Sequence, residues 1–218
     1  ENVRRHIQRA KELTDKPFGA NFPIFILSDI ADQHIEMLLE EDIQVVAQSG
    51  GNPKLHTKRL KDAGLTVLHV VGNVKQALAA EDAGVDVVIA EGYEAGGVNG
   101  PDEVTSMVLT PCVVDAVQIP VVTAGGIADG RGLVAAMALG AEGVQMGSAF
   151  LATYECHVHD GFKDAIVDAK DTGTLITQRA LGRLSRSLRN PFTEKMRELD
   201  KRAATDEMKQ FLGAAMDK

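Results

Sequence analysis

Val121-Val122-Thr123-Ala124-Gly125-Gly126-Ile127-Ala128-Asp129-Gly130 carries a β-branched run into two glycines and then into a helical stretch beginning at Arg131. Glycines let a backbone turn sharply and come close to an anion, and the N–H groups of a following helix point at that anion. One βα unit further on, Gly143-Val144-Gln145-Met146-Gly147-Ser148 repeats the arrangement, with Ser148 as a hydroxyl donor. Two consecutive loops of this kind form the recurrent phosphate site after strands 7 and 8 of a (β/α)8 barrel. Two ordinary glycine turns would use the same residue types. The pairing is nevertheless more specific than any single glycine motif.

Outward from this pair, the chain alternates short apolar runs with amphipathic helical stretches. Strands are expected at Phe18 to Phe22, Ile43 to Ala47, Thr66 to Val71, Asp86 to Ala90, Pro120 to Thr123 and Gly143 to Met146. Helices are expected over residues 1–14, Asp29 to Glu41, Lys54 to Ala63, Val74 to Ala83, Thr105 to Val117 and Arg131 to Leu139. Gly64, Gly84 and Gly140 stand where left-handed C-caps belong. The strand runs are continuously apolar rather than alternating, so both faces are covered and the sheet is parallel. The fold class is therefore α/β, a (β/α)8 TIM barrel of which about six βα units are present. After Phe150 the strand signal stops. Residues 151–218 read as a small helical second domain, broken at Pro191-Phe192, and residues 1–150 as the barrel portion. Six strands leave two open edges, which further barrel units or a homo-oligomer would have to cover.

Bulk properties narrow the function classes. With 218 residues, 44% hydrophobic and 25% charged, the chain suits one domain with a small appendage. A net charge of −8 excludes a basic footprint for nucleic acid. Only Arg179 to Arg189 is locally basic, and it reads as a solvated helix face. Cys112 and Cys156 share no metal or disulfide spacing, so reduced thiols and a cytoplasmic location are expected. No run is long enough to span a membrane. His157 and His159 are closely spaced, but no cysteine or histidine set accompanies them as metal partners.

Polar residues stand repeatedly at or near the ends of the apolar runs: Asn21, Gln48, His69 and Glu91. Singly, each is an ordinary strand-end residue; in consecutive units they suggest a shared polar mouth, where barrel active sites collect. His69 lies inside its run and could simply be packed. Glu91-Gly92-Tyr93-Glu94-Ala95-Gly96-Gly97-Val98-Asn99-Gly100 is too long to be only a connector, and such loops usually contact a ligand.

The succession of Asn21, Gln48-Ser49-Gly50-Gly51-Asn52-Pro53, the Glu91–Gly100 loop, Ala124-Gly125-Gly126-Ile127-Ala128-Asp129-Gly130 and Gln145-Met146-Gly147-Ser148-Ala149-Phe150 resembles the nitronate monooxygenases, formerly 2-nitropropane dioxygenases. It equally resembles their relatives, the flavin-dependent enoyl-acyl-carrier-protein reductases. The resemblance runs from residue 1 to about residue 200. It implies FMN as cofactor, held by Asn21, Gln48, His69, Glu91, Gly96, Gly97, Ala124, Gly125, Gly126, Met146, Gly147 and Ser148. It implies a small-molecule substrate: an alkyl nitronate oxidised with oxygen, or an enoyl thioester or quinone reduced with NAD(P)H. Relatives carry two further βα units before the position of Glu1 and continue past Lys218. Many also read Gly-Gly-His where this chain has Gly96-Gly97-Val98, so the family's acid–base histidine does not carry over. His159 occupies a position where the resembled family often has histidine, which suggests a role at the rim. A flavin-binding protein with little turnover, or a sugar-phosphate barrel using the same loops, stays open on the residues alone.

Overall fold

A helix follows almost every strand because each apolar run can be covered only by the amphipathic stretch after it. The computed structural model describes residues 2–216. The chain opens with α1 (Asn2–Leu13), β1 (Gly19–Pro23) and α2 (Ile24–Leu27), and a 3-10 turn leads into α3 (Ala31–Glu40). Then follow β2 (Val45–Ser49), α4 (Thr57–Asp62), β3 (Thr66–Val71), α5 (Val74–Asp82), β4 (Val87–Glu91) and the short β5 (Gly97–Asn99). The chain continues through α6 (Ser106–Val114), β6 (Val121–Ala124), α7 (Gly130–Ala138), β7 (Gly143–Gln145) and α8 (Ser148–Leu151). It ends with α9 (Asp160–Asp168), β8 (Thr174–Thr177), β9 (Leu184–Leu188), α10 (Pro191–Lys201) and α11 (Thr205–Met216).

The six expected parallel strands pair in the order β1-β2-β3-β4-β6-β7. This is a curled half-barrel, with β1 and β7 as open edges. Helix starts follow side-chain chemistry. Asn73 caps α5 by accepting from Gln76 N–H at 2.8 Å, and Asp129 caps α7 by accepting from Arg131 N–H at 2.9 Å. The core lies between sheet and helices. Val46, Val67, Val88 and Val121 from the strands meet Leu38, Leu60, Ala77 and Leu109 from the helices, all essentially inaccessible. Each such valine or leucine contributes about 1.5–3 kcal/mol on burial.

Residues 151–218 depart from the expected all-helical segment. The chain there supplies β8 and β9, which pair antiparallel with β5 in a second, three-stranded sheet. The arginine stretch is therefore a short 3-10 turn, Arg179–Leu181, leading into β9, and not a solvated helix face. α10 and α11 pack beside this sheet around Met196, Leu199 and Met208, with Phe192 and Phe211 stacked at 4.8 Å. Among the described residues, no helix is long and apolar enough to cross a membrane.

Candidate functional site

Strand register fixes which side chains reach the inner face of the half-barrel. Side chains alternate across a strand, and in-register partners share a face. Val46, Val67, Val88 and Val121 face the helices, and the pairings Val46↔Val67 and Val88↔Val121 keep them together. Two residues on, Gln48 pairs with His69 and keeps the same outward face. Gln48 is fully buried, and its Oε1 accepts from Thr57 Oγ1 on α4 at 3.0 Å. It belongs to the sheet–helix seam and not to the mouth where the sequence placed it. Asn21, Glu91 and Gln145 take the opposite, inner face: Asn21 pairs with Ala47, Glu91 with Ala124, and Ala124 with Gln145. Asn21 is exposed at the open β1 edge, where Ser49 Oγ donates to its Oδ1 at 3.4 Å. Gln145 was not singled out as a site residue in the sequence; it shares the inner face with Gly143 two residues earlier and with its partner Ala124.

A cavity of about 390 Å³ opens at the carboxyl ends of β3 and β4, under β5 and beside the loop of residues 50–53. His69, Glu91, Val98 and Asn99 line it. Burial lowers the His69 pKa to about 4, so its imidazole is neutral across the physiological range. Burial alone raises the Glu91 carboxyl to about 7. His69 Nδ1 and Asn99 Oδ1 are buried without a hydrogen-bond partner. The cavity thus gathers polar groups that the protein itself does not satisfy, the usual mark of a site waiting on a ligand or water.

The Gly92–Gly100 loop is strapped down from both sides. Gly92 N–H donates to Ala124 O at 2.9 Å, and Tyr93 N–H to Val104 O at 2.8 Å. From the second sheet, Arg186 donates to Tyr93 O through Nε at 3.1 Å and Nη2 at 2.9 Å, and its guanidinium lies 5.0 Å from the Tyr93 ring centroid. Arg179 pairs with Glu103 and donates to Tyr93 Oη at 2.9 Å. Sequence reading missed both arginines, since nothing local shows that they reach back across the chain.

The strap lies on the first glycine loop. Gly125 (φ +95°) and Gly126 (φ +75°) are both left-handed, and a Cβ on Gly125 would sit 2.9 Å from Gly92 O. Ser106 ties the pieces together: its Oγ donates to Gly125 O at 2.9 Å, and its N–H donates to Glu94 Oε2 at 2.9 Å. A Cβ on Gly96 would lie 3.8 Å from Ser148 Oγ, so the strap also meets the second glycine loop. Gly97 points into open space, Gly147 and Ser148 are exposed, and Met146 is half-buried. Among the described residues, the N–H groups of Gly125, Gly126, Gly147 and Ser148 find no protein acceptor. Four unclaimed amides at adjacent strand ends suit an anion. The two loops and Gly96 form one place, while His69, Glu91 and Val98 form a neighbouring one; Gln48 joins neither. His159 is an exposed N-cap, its Nδ1 accepting from Gly161 N–H at 3.0 Å. Among the described residues no acidic, histidine or cysteine cluster could hold a metal.

A family model described as nitronate monooxygenase matches residues 25–216. A probable nitronate monooxygenase of Staphylococcus aureus (strain MSSA476) is 40% identical over 176 residues, covering 77% of this chain and 50% of its own length. The chain thus spans about half the length of the curated relatives it matches. FabK from Thermotoga maritima is 44% identical with a TM-score of 0.86, covering 94% of this chain and 66% of that one. Nitroalkane oxidase from Streptomyces ansochromogenes is 31% identical with a TM-score of 0.75, covering 85% and 65%.

Proposed function

The chain belongs to the nitronate monooxygenase family, and on that premise we propose that it is the FMN-binding portion of an oxidoreductase that oxidises alkyl nitronates with oxygen. One observation carries the cofactor assignment. The amides of Gly125, Gly126, Gly147 and Ser148 have no protein acceptor among the described residues and follow the neighbouring strands β6 and β7 of a parallel half-barrel. A phosphate monoester accepts several such bonds, and charge-assisted bonds of this kind are about twice as strong as neutral ones. The residues therefore fit the phosphate of FMN, which when bound supplies the redox chemistry.

The chain's own contribution is binding and placement. The two glycine loops hold the phosphate, and Ser148 Oγ adds a donor. Ser106 holds the first loop in shape through Gly125 O, and Arg186 and Arg179 pin the strap that meets both loops. Asn21 and Gln145 present polar groups on the inner face, and the cavity at Glu91 and Val98 offers space for a small organic substrate. Beside Val98 the wall is apolar, which suits an alkyl chain.

Anaerobic mixing of the intact, flavin-loaded protein with propyl nitronate, NADH and NADPH in turn tests this reading. Propyl nitronate should bleach the flavin. Bleaching by NADH or NADPH alone, with none by nitronate, would move the chain to the enoyl-thioester or quinone reductases. A protein that purifies without flavin and takes none up would overturn the cofactor assignment.

A further inference from the structure

Two ionisable side chains line the cavity, His69 and Glu91. They differ in their capacity to move a proton. His69 shares the outward face of Gln48, and burial keeps it neutral down to about pH 4. Glu91 faces inward at the last position of β4. Among the described residues its carboxyl accepts no hydrogen bond and pairs with no cation, although neighbouring carboxylates do both. Glu94 accepts from Ser106, and Glu103 holds Arg179. An unengaged carboxyl in a cavity has no evident structural task.

We propose that Glu91 is the catalytic proton-transfer residue of this cavity: its carboxylate takes the α-proton of a neutral nitroalkane, so that the protein makes the nitronate that it oxidises. The inference rests on the oxidase reading above for the fate of that nitronate. In the step, the α-carbon–hydrogen bond breaks and an oxygen–hydrogen bond forms on Glu91. The electron pair left on carbon moves into the nitro group, giving the nitronate anion. No oxidant is needed, and the proton later leaves Glu91 for water. The cavity holds one negative charge before and after the transfer, moved from the carboxylate to the nitronate. A poorly solvated carboxylate is a stronger base than a hydrated one, so the burial that raises Glu91 also drives the transfer. A base with a pKa near 7 is matched to work near neutrality.

The neighbouring elements offer no competing charge. Across β3, His69 is neutral, and the β6 partner Ala124 does not titrate. On the strap, Tyr93 receives Arg179 at its hydroxyl and Arg186 at its carbonyl. The residues of α5 at the cavity are Gln76 and Ala79.

The test uses the intact, flavin-loaded protein and two readouts. The first is anaerobic exchange of the α-hydrogens of nitroethane into deuterated water, followed by NMR. The second is aerobic oxidation of nitroethane compared with ethyl nitronate. Glu91→Gln should lower exchange and nitroethane oxidation together by about 10²–10⁴-fold, the usual worth of a positioned acid or base, and should lower nitronate oxidation by a much smaller factor. Glu91→Asp should retain part of the exchange, and adding Val98→His to Glu91→Gln should restore part of it. Native exchange should rise as the pH passes through about 7. Flavin retention and melting temperature verify that each variant is folded. Native protein that exchanges no faster than buffer overturns the proposal, as does undiminished exchange in Glu91→Gln. An equal loss on nitroethane and nitronate also overturns it, since that marks a binding or folding role. Glu91-dependent exchange without any nitronate oxidation leaves this proposal standing and removes the oxidase reading instead.

Discussion

Replacing Glu91 by Gln should change stability in a pH-dependent way whose sign follows from burial. The ordinary carboxyl value is 4.5, and the folded protein raises it to about 7. Below pH 4.5 the group is protonated in both folded and unfolded chains and contributes nothing. Between the two values the unfolded chain ionises while the folded chain keeps its proton, so stability falls as pH rises. Above about 7 the folded protein carries the buried anion and the whole penalty is present. At about 1.4 kcal/mol per pH unit this amounts to roughly 3 kcal/mol, reduced towards 2 by the partial solvent contact of the site. His69 acts in the opposite direction, since its value falls from 6.5 to about 4 and stability is lost as pH drops through that window. The two slopes partly cancel in the native protein, so only the difference between native and Glu91→Gln isolates the carboxylate. Gln adds its own constant cost of burying an amide, which does not vary with pH. Denaturant unfolding of the intact protein and of Glu91→Gln at about pH 5 and about pH 8 should show the variant gaining roughly 2 kcal/mol on its parent across that range. An identical stability difference at both pH values would refute the reasoning, because it would mean that Glu91 is hydrated or paired in the folded state.

Gly126→Asp should abolish flavin retention: φ is +75°, a Cβ would stand 3.2 Å from Glu94 Cβ, and the new carboxylate would strain the loop and add negative charge where the phosphate is proposed to bind. Full flavin content in the purified variant would sink that assignment. Arg186→Met should free the strap by removing two charge-assisted bonds to Tyr93 O, at a cost of about 1.5–3 kcal/mol per bond to a charged group as an upper range. Amide exchange in β5 should accelerate, and unchanged protection would show that pairing with β9 suffices. Asn190→Ala should lower stability by about 1 kcal/mol by breaking the capping box that starts α10; an unshifted melting temperature would contradict it.

Legibility of the fold followed the range over which its causes act. The parallel units are local: an apolar run, a cap such as Asn73 and a closing glycine such as Gly84 lie within one βα repeat, so six strands were readable to within two residues. The second sheet is non-local. Strand β5 finds its partner β9 across the whole of the intervening barrel, pairing Val98 with Ser185. Within Leu184-Ser185-Arg186-Ser187-Leu188 the arginine stands where an apolar residue would announce a strand. Arg186 is there because it reaches Tyr93 on another element, a reason absent from its own neighbourhood. Thr174-Leu175-Ile176-Thr177 is too short a run to be read as a strand among helical stretches without its partner.

The site divides along a different line, between position and orientation. Asn21, Gln48, His69 and Glu91 all belong to strands of the expected sheet, yet lying on a strand does not say which way a side chain points. Parity does. Counting by twos from the valines packed on the helices sends Gln48 and His69 outward with Val46 and Val67, and leaves Glu91 inward with Ile89. That count needs the register of neighbouring strands, because a slip of one residue would exchange the two sets. The first glycine loop needed no such knowledge, since the left-handed backbone at Gly125 and Gly126 is one that glycine adopts at no steric cost. The same contrast explains why Glu91 stood out in the sequence as a polar strand end but not as a base. The histidine missing at Val98 shows as soon as the chain is set beside the family it resembles, whereas a carboxyl becomes a candidate base only when its face, its burial and its lack of partners are known together.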